Sequence, residues 1–225
     1  MLSIIVPVFN KFAFTKSCLN DLLKLDKSIH QIIIVDDCST DETQKELENN
    51  KDIFYIRNDT NKGFSKSCNA GYKIAKYNNI LFLNNDIRVI KDHEFWTNEI
   101  IQNCELGIVG PTTGELDKNF NFIREHNSII KSKYSYMSGW CLASSKNIFN
   151  KLIINNYNGP FSEEFGFYFE DTDLGFRSSE IKINFINVKI PVVHFGKISS
   201  KQLNTSLLYN NSRKIFIKKW KDRIK

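Results

Sequence analysis

Ile32-Ile33-Ile34-Val35-Asp36-Asp37 is an unbroken apolar run that stops at two carboxylates. A short run rich in β-branched residues, with no polar alternation, suits a strand covered on both faces, as in a parallel sheet flanked by helices. Three more such runs occur at Ile4–Val8, Ile53–Ile56 and Ile80–Leu83. Helical spacing fills the intervals. Cys18, Leu19, Leu22 and Leu23 follow the first run, and Cys68, Gly71, Tyr72 and Ala75 follow the third. After the second, Ser39 and Glu42 form a capping-box pattern that predicts a helix through Glu48. Strand alternating with helix implies an α/β fold, doubly wound around one mostly parallel sheet. The 225 residues hold no internal repeat and no Pro/Gly-rich linker, so they read as one domain.

Each apolar run ends in amides or acids. Asn10 follows the first, Asp36 and Asp37 the second, Asn58 the third, and Asn84, Asn85 and Asp86 the fourth. Any one of these is explained by the taste of turns for Asn and Asp. Four together, on the edge where open α/β sheets bind ligands, predict a polar ligand cleft. No G-x-G-x-x-G follows a strand and no P-loop occurs, which removes the main support for dinucleotide and P-loop readings. In the opening loop, Val8-Phe9-Asn10-Lys11 stands where a sugar nucleotidyltransferase would need a Gly-rich, Arg-containing segment. A cleft with acids and few cations suits phosphates bridged by a divalent metal.

Seven bases and one acid between Arg213 and Lys225 account for the whole net charge of +6. The body is neutral, which argues against a nucleic-acid partner, because such a footprint would spread bases over a body face. Five scattered cysteines, odd in number and without a C-x-x-C pair, argue against a disulfide framework and a zinc site. The N-terminus lacks the pattern of a signal peptide, and no apolar run reaches the roughly 18 to 20 residues of a membrane span. The expectation is a cytoplasmic protein.

Six blocks stand in order along the chain. The first four are Ser3-Ile4-Ile5-Val6-Pro7-Val8-Phe9-Asn10, Ile34-Val35-Asp36-Asp37-Cys38-Ser39-Thr40-Asp41, Asn61-Lys62-Gly63-Phe64 through Asn69-Ala70-Gly71, and Asn84-Asn85-Asp86. The last two are Gly159 to Arg177, with Phe169-Glu170-Asp171-Thr172-Asp173 at its heart, and Val193-His194-Phe195-Gly196. Together they resemble glycosyltransferase family 2, inverting enzymes of GT-A fold. The resemblance implies a single GT-A domain over residues 1–208, followed by a basic amphipathic helix over residues 209–225. It also implies transfer from a nucleotide-diphosphate sugar to a glycan or lipid-linked acceptor, in the synthesis of a bacterial surface polysaccharide.

Residue roles follow from that likeness. Pro7 and Phe9 would wall the donor base, with Asn10 beside them. Asp37 would accept a hydrogen bond from the base, with Asp36 as the alternative, because strand phase decides which acid faces it. Asn61, Gly63 and Asn69 would lie near the diphosphate, and Asn84 and Asn85 near the ribose or the metal shell. Asp86 and His194 would hold Mg²⁺ or Mn²⁺; His194 also reads as a hydrogen-bonded histidine at a strand end. Two of the three positions in the D-x-D-type motif are Asn, so the donor diphosphate would supply much of the coordination.

Asp171 is the expected general base, with Glu170 orienting the acceptor. Both lie among phenylalanines, where poor solvation raises a carboxylate's pKa and makes it a better base. Tyr209, Phe216, Trp220 and Ile224 stand at helical spacing in the basic tail. That face predicts either packing on the domain or contact with an anionic membrane. A catalytically idle binder of nucleotide sugars or glycans is the rival reading.

Overall fold

A computed structural model describes residues 1–91, 93–196 and 205–224. In chain order the elements begin with β1 (Leu2–Val8), α1 (Phe12–Leu22), β2 (His30–Asp36), α2 (Thr43–Leu47), β3 (Phe54–Arg57), α3 (Phe64–Ile74) and β4 (Asn79–Leu83). They continue with β5 (Ile87–Val89), α4 (His93–Asn103), β6 (Gly107–Gly110), β7 (Thr113–Leu116), β8 (Phe122–His126), β9 (Ser135–Met137) and β10 (Cys141–Ser145). Next come α5 (Lys146–Phe149), α6 (Glu170–Glu180), β11 (Asn184–Asn187), β12 (Val192–His194) and α7 (Thr205–Trp220).

All four apolar runs are strands of one seven-stranded sheet, ordered β11-β6-β10-β4-β1-β2-β3. Every pairing is parallel except those of β10 with β4 and β6. Alternation along β1 sorts its side chains between two cores. Leu2, Ile4, Val6 and Val8 pack with Cys18, Leu19 and Leu22 of α1 and with Trp96 and Ile100 of α4. Ile5 faces the other side, with Ile33, Val35, and Cys68 and Tyr72 of α3. Each large apolar side chain buried this way contributes about 1.5–3 kcal/mol. Gly71 lets α3 sit close on the sheet, since a Cβ there would meet Ile5 Cγ2 at 2.4 Å. β3 departs from the two-faced pattern: it is an edge strand, and Phe54 is 55% exposed.

The capping box between Ser39 and Glu42 does not form. Ser39 Oγ instead accepts the Asn10 N–H at 2.8 Å, and α2 starts only at Thr43. Asp41 takes over there, its Oδ1 accepting the Thr43 N–H at 3.1 Å.

Two smaller sheets complete the architecture. β5 pairs antiparallel with β12, and β7 lies between β8 and β9. A third core joins Phe120, Tyr136, Phe165, Phe169 and Phe176 to Phe216 and Trp220 of α7. The helix therefore packs its apolar face on the domain, with Phe216 and Trp220 buried. Trp220 Nε1 donates to Asp173 Oδ1 at 2.9 Å, and Lys219 Nζ lies 2.7 Å from the same oxygen. Arg177 Nε donates to Asp173 Oδ2 at 2.8 Å. α7 begins at Thr205, ahead of the boundary expected at residue 209.

Candidate active site

Parallel register sets Val8 level with Asp36, and Asp36 level with Arg57, so Asn10, Asp37 and Asn58 emerge along one edge. The two neighbouring acids have different surroundings. Asp36 is fully buried and accepts the Tyr55 hydroxyl at 2.6 Å, the Ser39 N–H at 2.8 Å and the Arg57 guanidinium. Burial first, and Asp36 second, push the Tyr55 hydroxyl well above its ordinary range. Asp37 lines a cavity of about 280 Å³ together with Pro7, Val8 and Phe9. Its Oδ1 accepts Asn58 Nδ2 and the Lys62 N–H, and its Oδ2 accepts the Gly63 N–H, all at 2.8 Å.

The loop that Asp37 gathers is tightly constrained. Gly63 has φ +85°, and a Cβ there would meet Gly166 O at 2.6 Å. Phe64 N–H donates to that oxygen at 2.8 Å, tying this loop to the segment before α6. Left-handed non-glycine residues recur around the cavity: Asn10 and Lys11, Cys38, and Tyr168 and Phe169. Such strain persists where surrounding structure over-determines the backbone, as at ligand sites.

Not every expected residue reaches the cavity. Asn10 Oδ1 holds the turn at Thr40, whose N–H it accepts at 2.7 Å. Asn69 is buried and staples α3 to the Gly159–Glu163 segment: its Nδ2 donates to Phe161 O at 2.9 Å and its Oδ1 accepts the Phe161 N–H at 3.1 Å. Asn61 is exposed, and Gly63 is buried in the loop contact. With Asp36 in the sheet edge, these five lie outside the cavity lining.

Asn84, Asn85 and Asp86 line the cavity where β4 ends, and His194 joins them from β12. The antiparallel pairing of His194 with Ile87 carries the imidazole across 108 residues of chain to Asp86. Its Nε2 lies 3.1 Å from Asp86 Oδ1 and 3.4 Å from Asn84 Nδ2. Asn85 Nδ2 donates to Thr15 Oγ1 of α1 at 2.9 Å. The Trp140 indole stacks on the His194 ring, with centroids 4.7 Å apart and planes 8° apart. Among the described residues no group of three or more His, Cys, Asp or Glu forms a metal cage. The carboxylate and imidazole pair is still a donor set that a divalent cation accepts, with other ligands from a bound substrate.

The first turn of α6 presents Glu170 and Asp171 to the same cavity. Asp171 Oδ2 accepts the Gly139 N–H at 2.9 Å, and its Oδ1 accepts the Thr172 N–H at 2.6 Å. Burial pushes the Asp171 carboxyl up to about 6, against the pull of those N–H groups. Burial, then the neighbouring Asp171 charge, pushes Glu170 well above the usual carboxylate range. Glu170 Oε2 has no hydrogen-bond partner among the described residues.

Glu125, Tyr136, Ser138 and Trp140 join the lining without having been expected from sequence, while Phe167 and Tyr168 come from the aromatic-rich acidic stretch read there as able to stack on sugar faces. Glu125 comes from β8 and Tyr136 from β9, short strands with no apolar run to mark them. Asp37, Asp86, Glu125, Glu170 and Asp171 thus face one cavity, and among the described residues no Lys or Arg lines it.

Residues 3–153 match the family model described as glycosyl transferase family 2. The chain belongs to glycosyl transferase family 2. An uncharacterized glycosyltransferase of Haemophilus influenzae is 40% identical to this family 2 chain over 86 residues, which are 38% of this chain and 29% of that protein. The poly(ribitol-phosphate) beta-N-acetylglucosaminyltransferase TarS of Staphylococcus aureus is 33% identical over 40% of this chain and 17% of its own length. The chain thus spans less than a third of these two relatives. Escherichia coli WfaP, a UDP-Glc:alpha-D-GlcNAc-diphosphoundecaprenol beta-1,3-glucosyltransferase, is 25% identical over 94% of this chain and 84% of its own. Among solved structures, S. aureus TarS 1-349 with UDP superposes with TM-score 0.59 at 22% identity, over 84% of this chain and 58% of that one. GalNAc-T7 with UDP, GalNAc and Mn²⁺ gives TM-score 0.69 at 14% identity, over 86% of this chain and 43% of that one. Both likenesses show the GT-A fold of this family 2 chain.

Proposed function

We propose that this family 2 glycosyltransferase moves a sugar, with inversion, from a nucleotide-diphosphate donor to a hydroxyl of a glycan or lipid-linked acceptor in bacterial surface-polysaccharide synthesis. The observation that carries this reading is one cavity lined by both the Asp86–His194 pair and the Glu170–Asp171 pair. Pro7 and Phe9 wall the donor base, and Asp37 accepts its hydrogen bond with the lone pair that the loop contacts leave on Oδ2. Asn84 and Asn85 stand beside the ribose. Asn10, Asp36, Asn61, Gly63 and Asn69 serve the donor from behind, by shaping the loops that meet it.

In an inverting transfer the acceptor oxygen bonds to the anomeric carbon as the bond to the diphosphate oxygen breaks. Asp171 takes the acceptor's proton, and Glu170 holds the acceptor. A diphosphate entering a lining of acids needs a counter-cation, so Asp86 and His194 would hold a divalent metal. Mn²⁺ suits an imidazole better than Mg²⁺ does. When bound, that cation neutralises charge growing on the leaving diphosphate.

WfaP is named for a diphosphoundecaprenol acceptor, and a lipid-linked acceptor would bring this chain to the inner face of a membrane. No described helix is long and apolar enough to cross one. Lys214, Lys218 and Lys221 point outward from α7 and its end, where an anionic surface would meet them. The deciding assay follows release of nucleoside diphosphate from UDP-, GDP-, dTDP- and CDP-sugars with Mn²⁺, with and without acceptor. Metal-dependent release is expected, and excess chelator should abolish it. Tight donor binding without any release would leave the idle-binder reading in its place.

A further inference from the structure

His194 reaches Asp86 from a two-stranded sheet outside the main one. A ligating histidine is normally oriented by a hydrogen bond from its second ring nitrogen to a carboxylate or carbonyl. Here Nε2 faces Asp86 and Asn84, and among the described residues no hydrogen bond reaches Nδ1. The ring face is held instead. Trp140 lies parallel to it at 4.7 Å, and only 9% of Trp140 is exposed. The indole is itself pinned, because its Nε1–H donates to Thr112 Oγ1 at 2.9 Å, and the Thr112 hydroxyl donates to Glu125 Oε1 at 3.1 Å. The Gly139-Trp140 backbone also bonds to both functional groups of the cavity. The Trp140 carbonyl accepts the Asn84 N–H at 2.8 Å, and the preceding Gly139 N–H holds Asp171.

We propose that Trp140 is a positioning residue for His194. Its indole face fixes the imidazole plane so that Nε2 points at the place beside Asp86, and Thr112 fixes the indole. The proposal deepens the metal reading above and rests on it. Removing the ring face frees the imidazole to turn about its two side-chain torsions, so Asp86 loses a preset partner for the cation.

The test measures free Mn²⁺ by electron paramagnetic resonance while the metal is titrated into the protein with UDP, GDP, dTDP or CDP. The nucleotide giving the tightest Mn²⁺ binding to the parent is used thereafter. His194→Ala is expected to weaken Mn²⁺ binding. Trp140→Leu should weaken it by about tenfold, the usual scale for losing an orienting partner. Trp140→Phe, which keeps a ring face, should stay close to the parent. Because Trp140 acts through His194, the double variant Trp140→Leu/His194→Ala should bind Mn²⁺ no more weakly than His194→Ala alone. Melting curves confirm that each variant is folded.

Parent-like Mn²⁺ binding by Trp140→Leu would overturn the proposal. So would losses that add in the double variant, since they would show a general packing role. If Trp140→Leu unfolds, Thr112→Val carries the test and must show the same non-additivity with His194→Ala. Failure of His194→Ala to change Mn²⁺ binding, or of the parent to bind Mn²⁺ with any of the four nucleotides, would remove the metal reading itself and this proposal with it.

Discussion

Asp171 and Glu170 are adjacent in sequence yet differ in surroundings, and the difference supports the division of roles proposed for them. Asp171 has its oxygens set by the Gly139 and Thr172 N–H groups and a carboxyl pushed up to about 6. It is ionised at neutral pH and aimed. Glu170 is pushed well above the usual carboxylate range by burial and by the Asp171 charge, and it leaves Oε2 unpartnered among the described residues, free to meet an acceptor oxygen. Only ionised Asp171 accepts a proton, so kcat/KM, which reports the free enzyme, should fall as pH drops through about 6. Asp171→Asn should cut transfer by at least about a hundredfold and abolish that acid limb, with donor affinity nearly unchanged. Stability should run the other way. A carboxyl raised in the folded state contributes stability below its unfolded value of 3.8, and loses it as pH rises through about 6. Asp171→Asn should therefore melt higher than the parent at pH 8 and close to it at pH 4. Near-normal turnover of Asp171→Asn beside a dead Glu170→Gln would show that the roles are exchanged. Asp37 allows a second measurement at this scale. Asp37→Ala should weaken nucleoside-diphosphate binding by about 1.5–3 kcal/mol in calorimetry, as for a hydrogen bond to a charged group. Unchanged affinity would limit Asp37 to holding the Asn58–Gly63 loop.

At the scale of elements, what could be read from sequence was what repeats locally. The strands β1, β2 and β4 are continuous apolar runs because helices cover both their faces, and that pattern is visible in one sequence. β10 is as central as β4, but reads Cys141-Leu142-Ala143-Ser144-Ser145. Ser144 is satisfied in the core because its Oγ donates to Gly107 O at 2.7 Å, a long-range bond that no local period announces. Hence the antiparallel insertion in the sheet went unread. Glu125 and Trp140 were missed for a similar reason, since Glu125 sits in a short exposed strand and Trp140 in the turn between β9 and β10, where no local pattern marks a single residue. Strand phase, on which the preference for Asp37 over Asp36 depended, is a matter of register, which puts Asp36 at the end of β2 and Asp37 on the cavity. The loop after β3 gives a test of this scale. Gly63→Ala combines a left-handed φ with a clash against Gly166 O, and should destabilise by about 1–3 kcal/mol in denaturant melts. It should also weaken donor binding, because the loop it displaces is the one Asp37 holds. Gly166→Ala is the control, since its Cβ would meet nothing within 4 Å. Equal stability of the two variants would remove the strain argument.

At the scale of the molecule, α7 decides whether the basic tail is an appendage or part of the domain. Its inner face supplies Phe216 and Trp220 to the core that also holds Phe169, the residue immediately before Glu170. Asp173, one turn further along α6, is bonded by Trp220 Nε1 and Arg177 and paired with Lys219. Cutting the chain at Arg213 would strip two large aromatics from a core and leave a buried carboxylate short of two partners. Each loss is of a kind that costs several kcal/mol. Truncation therefore cannot isolate a membrane function, because it should unfold the wall that carries Asp171. The outward bases can be changed without touching that core. Lys214→Glu/Lys218→Glu/Lys221→Glu reverses three exposed charges, each worth about 1 kcal/mol near an anionic bilayer. The triple variant should keep the parent's melting temperature and its turnover of a soluble acceptor. Its sedimentation with phosphatidylglycerol vesicles should fall steeply, and the parent's own binding should weaken as salt is raised. Equal vesicle binding by parent and triple variant would confine α7 to packing, and the approach to a lipid-linked acceptor would have to come from another face.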